Sequence, residues 1–310
     1  SLNTSSTPDP TPVYANANRS EYATEFNFKD RVTLNSLTSL WLGLRHVSYN
    51  RSSEQNDPPG SGRSAIKGSA TSPWVAISTQ IEEKTLYISH GSGLEQFLTP
   101  NSSVSFTNPG AQLGVEKSTQ TEVGIRQPSK GNGFNWAISA FHISRPLAYD
   151  IFDTSAWIST RDLDGKQIHT GLDASLGWQN TNWMIHGQAQ LVKARISAVE
   201  QHPEIGTRPL NVPKYTLRAL AQYRFTDIPG LRASLRLSRE GSRRVTEDGS
   251  INLPSWTTLD FAAHYDTRID GTRTQWTLAV DNLADHHYWR ESPKQFGHYY
   301  LYPGAPRTLR

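Results

Sequence analysis

The chain has 310 residues, 35% hydrophobic and 19% charged, with a mean hydropathy of -0.58 and 31 Lys and Arg against 28 Asp and Glu. It has no run of about 18 apolar residues, which excludes a transmembrane helix, and no cysteine, which excludes disulfides, thiolate metal sites and cysteine nucleophiles. Its positive charges are dispersed rather than gathered into a stripe interleaved with aromatics, so no nucleic-acid partner is expected.

Residues 1–12 are polar and lack the basic start and apolar centre of a signal peptide, so the sequence is expected to be a processed or partial chain. Beyond them period-two alternation dominates, and sustained helical spacing is hard to find. Alternating segments fall at residues 22–34, 40–49, 74–82, 85–90, 119–127, 134–144, 167–179 and 183–193. The clearest is 215–226, where Tyr215, Leu217, Ala219, Ala221, Tyr223 and Phe225 alternate with Thr216, Arg218, Leu220, Gln222, Arg224 and Thr226. The next repeats it, with Leu231, Ala233, Leu235 and Leu237 on one face and Arg232, Ser234, Arg236 and Ser238 on the other. Segments at 256–267 and 272–283 bring the total to about twelve, and a further strand starts at Arg307.

Low mean hydropathy fits a transmembrane barrel, whose strands alternate lipid-facing with interior residues. Aromatics at the strand ends fit the interfacial girdles of such a barrel, with Tyr215 and Phe225 as candidates for its two belts. The connectors carry more information than the strands. Short polar links at 82–84, 128–133, 180–182, 227–230 and 268–271 alternate with long ones at 50–73, 91–118, 145–166, 194–214, 240–255 and 284–306. Outer-membrane barrels pair short periplasmic turns with long extracellular loops, so this parity predicts an all-β, antiparallel transmembrane β-barrel. It also predicts that the strand starting at Arg307 runs inward. About twelve strands in an open sheet would leave two unpaired edges in hydrocarbon, so further strands are expected to close it.

Four stretches carry a resemblance. Trp41–Leu42–Gly43–Leu44–Arg45 is similar to a barrel strand with Gly43 and Arg45 facing the lumen. The second is Thr85–Leu86–Tyr87–Ile88–Ser89, then Gly93–Leu94–Glu95, then Glu116 through Glu122, Val123 and Gly124. The third is Val280–Asp281–Asn282–Leu283 with Asp285 and Tyr288, and the fourth is Gly304–Ala305–Pro306–Arg307. In order and spacing they resemble the TonB-dependent outer-membrane receptors, specifically ferric-siderophore receptors, over residues 22–310. The resemblance implies a single domain over 1–310, the C-terminal part of a 22-stranded barrel. This part would hold about strands ten to twenty-one and the start of the last. The N-terminal plug and the TonB-contacting segment would lie outside it. It further implies uptake of a ferric siderophore, partnership with the TonB complex through the missing part, contact with outer-membrane lipid and lipopolysaccharide, and no resident cofactor.

Within this reading, Tyr149, Phe152 and Trp157 in a long outer connector are candidates for stacking on an aromatic ligand. Arg161, Arg243 and Arg244 are candidates for an anionic chelate. Loop packing and solvated surface charge are at least equal readings of these six. His286, His287 and His298 share one long loop, and His90, His142 and His169 lie elsewhere, without ligand spacing, so no metal site is expected. Asp150 with Asp153, and Asp162 with Asp164, have no second catalytic group beside them, and no Gly–x–Ser–x–Gly elbow exists. Gly131–Asn132–Gly133 reads as a turn. No enzyme is expected. The rival readings are uptake of cobalamin, haem or an oligosaccharide by the same architecture, an outer-membrane barrel enzyme, and a soluble many-stranded surface protein.

Overall fold

The computed structural model describes residues 17–56, 59–100, 104–129, 133–197, 207–295 and 298–310. The polar start, residues 130–132 of one short link and residues 198–206 of one long connector lie outside the described residues. Among those described, regular structure is entirely strand. Ten long strands come first: β1 (Ala17–Thr33), β2 (Thr38–Asn56), β3 (Pro59–Ile81), β4 (Lys84–Leu98), β5 (Gln112–Gln127), β6 (Phe134–Asp153), β7 (Ile158–Gln179), β8 (Trp183–Ser197), β9 (Tyr215–Arg224) and β10 (Leu231–Glu240). A small hairpin, β11 (Arg243–Arg244) with β12 (Asn252–Leu253), precedes the long strands β13 (Trp256–Ile269) and β14 (Thr272–Asp281). Short pieces β15 (Trp289–Glu291), β16 (Lys294–Gln295), β17 (His298–Tyr299) and β18 (Tyr302–Pro303) lead to β19 (Thr308–Leu309).

The long strands and β19 form one sheet of 13 strands in chain order, each antiparallel to the next. Twelve alternating segments and a beginning thirteenth were expected, and each expected strand has its counterpart. What the structure corrects is the length. The connectors expected at 50–73 and 145–166 are mostly paired backbone: β2 and β3 stay in register from Tyr49↔Gly68 to Ser53↔Ser64, and β6 and β7 from Arg145↔Gln167 to Asp153↔Ile158 across one bulge. Here regular apolar–polar alternation fades while the backbone hydrogen bonds continue.

Register fixes the two faces. On one, Ile88, Val123, Ala140, Leu172 and Leu191 lie side by side across β4 to β8, and Leu86, Ile125, Ile138, Ala174 and Ala189 form the row beneath. Ile88, Val123, Ile138, Leu172 and Leu191 are all about half exposed. A band of this extent would aggregate in water; it suits hydrocarbon. Trp136, Trp178, Trp183, Tyr223, Tyr265 and Trp276 border this band near the short turns, and Trp183 packs against Tyr223 at 4.8 Å, itself against Phe225 at 4.9 Å. The opposite face is lined by ion pairs, among them Arg145–Glu95 at 2.6 Å, Arg232–Asp266 at 2.7 Å and Arg236–Asp260 at 2.9 Å.

The apolar core lies at the far end, not between the faces. Phe106, Leu147, Tyr149, Val245, Leu253 and Trp256, each under a tenth exposed, sit in or beside the long connectors. This end is therefore a packed body rather than a fringe of loose loops.

Candidate functional site

Two assemblies rise above the apolar band on the side of the long connectors. The first is the β6–β7 hairpin. At its tip Asp153 accepts hydrogen bonds from Ser155 N (2.8 Å), Ser155 Oγ (2.6 Å) and Ala156 N (3.3 Å), an Asx turn that holds the Asp153 carboxyl below its ordinary range. The turn ends on Trp157 at φ 54°, so its indole is 73% exposed and meets Phe152 edge-to-face at 5.9 Å. Phe152 and Trp157, two of the candidates for stacking on an aromatic ligand, thus lie against each other at the hairpin tip. Tyr149 does not join it, being 8% exposed and part of the hairpin's packing.

Arg161 is committed elsewhere. Its Nε and Nη2 pair with Asp150 at 2.6 and 2.9 Å, its Nη1 donates to Leu98 O at 3.1 Å, and its guanidinium lies 5.4 Å from the centre of the Phe106 ring. Asn108 brackets the same residue, donating to Arg161 O (2.7 Å) and accepting from Arg161 N (3.1 Å). Arg161 therefore clamps the β4–β5 connector to the hairpin. Removing one partner of such a half-buried pair leaves the other uncompensated. Arg161→Ala is expected to raise amide exchange at residues 104–111 by one to two orders of magnitude, with β8 to β10 unchanged, read by hydrogen–deuterium exchange.

The second assembly joins three connectors through Asn211. Its N–H donates to Arg244 O (2.9 Å), and its Oδ1 accepts from Arg243 Nη1 (3.1 Å) and Ser292 N (3.2 Å). Arg243, 9% exposed, also pairs with Glu240. Glu247 then ties the β11–β12 hairpin to the last connector, accepting from Lys294 Nζ at 2.5 Å and from the Tyr299 hydroxyl. Burial raises the Glu247 carboxyl, but these two hydrogen bonds outweigh it and hold the group below the ordinary glutamate range. Burial, then Glu247, pushes the Tyr299 phenol up. A carboxylate depressed in the folded state contributes stability above its unfolded pKa of about 4.3 and loses it as pH falls through the folded value. Amide protection of the β11–β12 hairpin is accordingly expected to hold at neutral pH and fall below about pH 4, while Glu247→Gln flattens that response. Neighbouring Asp248 is also lowered, to about 2, by hydrogen bonds from Thr246 and Ser250, so it contributes to the same acid response.

Beside this body opens a cleft of about 920 Å³ between the upper end of β8, the segment after it and the β11–β12 hairpin. Arg208, Lys214, Arg243 and Arg244 line it, with no Asp or Glu among its lining residues. Arg208 and Lys214 are exposed; Arg244 is half-buried, with Nη1 3.4 Å from Glu247 O. The expected pair Arg243 and Arg244 does meet at one cleft, whose β8 wall is the strand next to the aromatic β6–β7 hairpin in the sheet. Sequence reading missed Arg208, Lys214 and Asn211, for which no local pattern existed.

The family-motif residues make packing and hydrogen-bond contacts within the sheet and its last connector. Gly43 sits under the Trp74 indole and Gly124 under the Tyr87 ring, where a Cβ would collide with the cross-strand aromatic. Arg45 pairs with Glu25 on the polar face, and Glu122 accepts from the Tyr87 hydroxyl. Glu116 stands opposite Glu95, the partner of Arg145. Asn282, 3% exposed at φ 51°, donates Nδ2 to His286 O (2.9 Å) and Ala305 O (3.0 Å) and accepts from His286 N (2.9 Å), while its own N–H reaches Asp260 Oδ1 (2.8 Å). Leu283 N donates to Leu259 O (2.7 Å), and Asp285 accepts from Arg307 N (3.0 Å), setting the turn from Pro306 into β19. Tyr288 stacks on Trp256 at 4.6 Å.

A family model described as TonB dependent receptor-like, beta-barrel, matches residues 1–283. The metal-pseudopaline receptor CntO of Pseudomonas aeruginosa is 22% identical over 298 residues, which is 93% of this chain and 40% of that protein. Among solved structures, BauA, the ferric preacinetobactin receptor from Acinetobacter baumannii, matches with a TM-score of 0.73 at 22% identity, over 94% of this chain and 42% of its own. Fiu, the ferric-catecholate import receptor from K12 E. coli, gives 0.73 at 18% identity, over 95% and 44%. The chain thus spans about 40% of the curated relatives it matches. With one antiparallel sheet, an apolar outer band and a family match over most of its length, the chain belongs to the TonB-dependent receptor β-barrel family of the Gram-negative outer membrane.

Proposed function

We propose that the chain supplies barrel wall and extracellular binding surface for TonB-dependent uptake of an anionic metal chelate, a ferric siderophore in the first instance. The observation behind this reading is the cleft beside β8, lined by Arg208, Lys214, Arg243 and Arg244 and by no acid. Fixed guanidinium and ammonium groups favour carboxylate, catecholate or hydroxamate oxygens around a metal over neutral ligands such as oligosaccharides. Phe152 and Trp157 offer a second, aromatic contact on the β6–β7 hairpin. The relatives named above are receptors for metal chelates, which supports the same class. The chain takes no catalytic part; ligand movement depends on the TonB complex and on protein outside this chain. The test is binding of ferric and other metal chelates to the full-length receptor by intrinsic fluorescence at low and high salt. Affinity that tracks chelate charge and weakens with salt supports the reading; equal affinity for neutral cobalamin would sink it.

A further inference from the structure

Two further cations, Lys193 and Arg195 on the upper end of β8, line the same cleft as Arg208, Lys214, Arg243 and Arg244, so four guanidiniums and two ammoniums meet at one recess of about 920 Å³. Arg243 is paired with Glu240, whereas the other five have no carboxylate partner among the described residues. Arg244 owes its place to Gly249: at φ 77° this residue passes so close that a Cβ on it would stand 2.7 Å from the guanidinium carbon. Thr207, Ser242 and Asn252 add uncharged hydrogen-bonding groups to the wall. No aromatic side chain is among the described lining residues, and the two connectors that build the cleft, 194–214 and 240–255, contain no Phe, Tyr or Trp at any position. Aromatics are not scarce in the other long connectors, since 145–166 carries Tyr149, Phe152 and Trp157 and 284–306 carries Tyr288, Trp289 and Phe296 among others. Cations and rings are therefore assigned to different connectors.

We infer that the cleft selects a metal polycarboxylate over catecholate and hydroxamate chelates. This rests on the reading of the cleft as the chelate site and narrows its ligand. A carboxylate can bind metal through one oxygen and turn the other outward, and its plane matches the fork of a guanidinium with two parallel hydrogen bonds. A catecholate gives both oxygens to the metal and turns a ring outward, for which the matching contact is an aromatic face; this cleft offers none. A ferric trihydroxamate is neutral, so a ring of cations gains little Coulomb energy from it. The recess lies within the range of about 300–1,000 Å³ usual for small-molecule sites, which suits a compact chelate.

The test uses the full-length receptor in detergent, titrated by intrinsic fluorescence with three probes: ferric citrate, a trianionic hexadentate ferric tris-catecholate and a neutral ferric trihydroxamate. Ferric citrate should bind at least about tenfold more tightly than either of the others, a difference worth about 1.4 kcal/mol. Arg208→Lys, which keeps the charge but not the fork, should weaken ferric citrate about threefold or more and leave the catecholate within about twofold. Phe152→Ala with Trp157→Gly, which removes the rings and keeps a residue suited to the turn, should leave ferric citrate within about twofold. Heat-modifiable migration on gels establishes that each variant is folded. Catecholate binding as tight as that of citrate, or a tenfold loss of citrate affinity without the ring pair, would overturn the polycarboxylate assignment. Arg208→Glu with Lys214→Glu separates the other failure: if it changes affinity for none of the probes, the cleft is not the chelate site, and the assignment falls with that reading.

Discussion

Asn282→Ala is expected to cost about 3–5 kcal/mol of stability. Three hydrogen bonds of the side chain disappear, each worth about 1–1.5 kcal/mol, and the carbonyls of His286 and Ala305 and the N–H of His286 lose their partner. Alanine must also adopt φ 51°, which costs an L-residue about 1–2 kcal/mol and asparagine less. Two further variants separate the contributions. Asn282→Gly removes the backbone strain but not the missing bonds, and should recover about 1 kcal/mol. Asn282→Asp keeps the acceptor for His286 N yet points a carboxylate at two carbonyls, and should do no better than alanine. Unfolding of the receptor in detergent, followed by heat-modifiable migration and tryptophan fluorescence, gives the order. A loss below 1 kcal/mol for Asn282→Ala would show that the last connector holds itself without this staple.

Reversing the exposed charges of the cleft, with Arg208→Glu and Lys214→Glu together, is expected to lower affinity for an anionic chelate by at least about a hundredfold. Each charge-assisted contact contributes about 1.5–3 kcal/mol, and reversal adds repulsion where attraction stood. The barrel should remain intact, because both side chains are exposed. Arg243→Ala behaves differently. That guanidinium is 9% exposed, paired with Glu240 and bonded to Asn211, so its loss should weaken binding and also loosen all three connectors joined there. Chelate titrations alongside hydrogen exchange distinguish the two classes. If the double reversal leaves affinity unchanged, the cleft is not the entry site, and the Phe152–Trp157 pair becomes the leading surface.

The strand plan was legible because each spanning segment must be apolar on one face. Leu231, Ala233, Leu235 and Leu237 announce a barrel strand without any tertiary knowledge. Above the membrane that requirement lapses. Residues 59–70, rich in Gly and Ser, read as a loop although the backbone from Ile66 to Ala70 pairs with β2 throughout. Candidate ligand residues were less legible, because an arginine's role depends on which distant acid meets it. Arg161 and Arg244 look alike in sequence, yet one is bound bidentate by Asp150 and the other faces a cleft. Asn211 had no signal at all, since both partners of its Oδ1, Arg243 and Ser292, are remote in sequence and are brought together only by the connectors' packing.

The paired masts above the membrane set how this surface can change. Because side chains alternate along a ladder, inserting residues two at a time on each strand would lengthen the β6–β7 hairpin and leave Phe152 and Trp157 on their present sides. A single inserted residue would turn everything above it to the other side unless a bulge absorbed it, as happens between Pro146 and Ala148. The surface above the band is therefore open to change by paired insertion and by side-chain exchange, while an odd-numbered insertion needs a bulge such as the one already between Pro146 and Ala148.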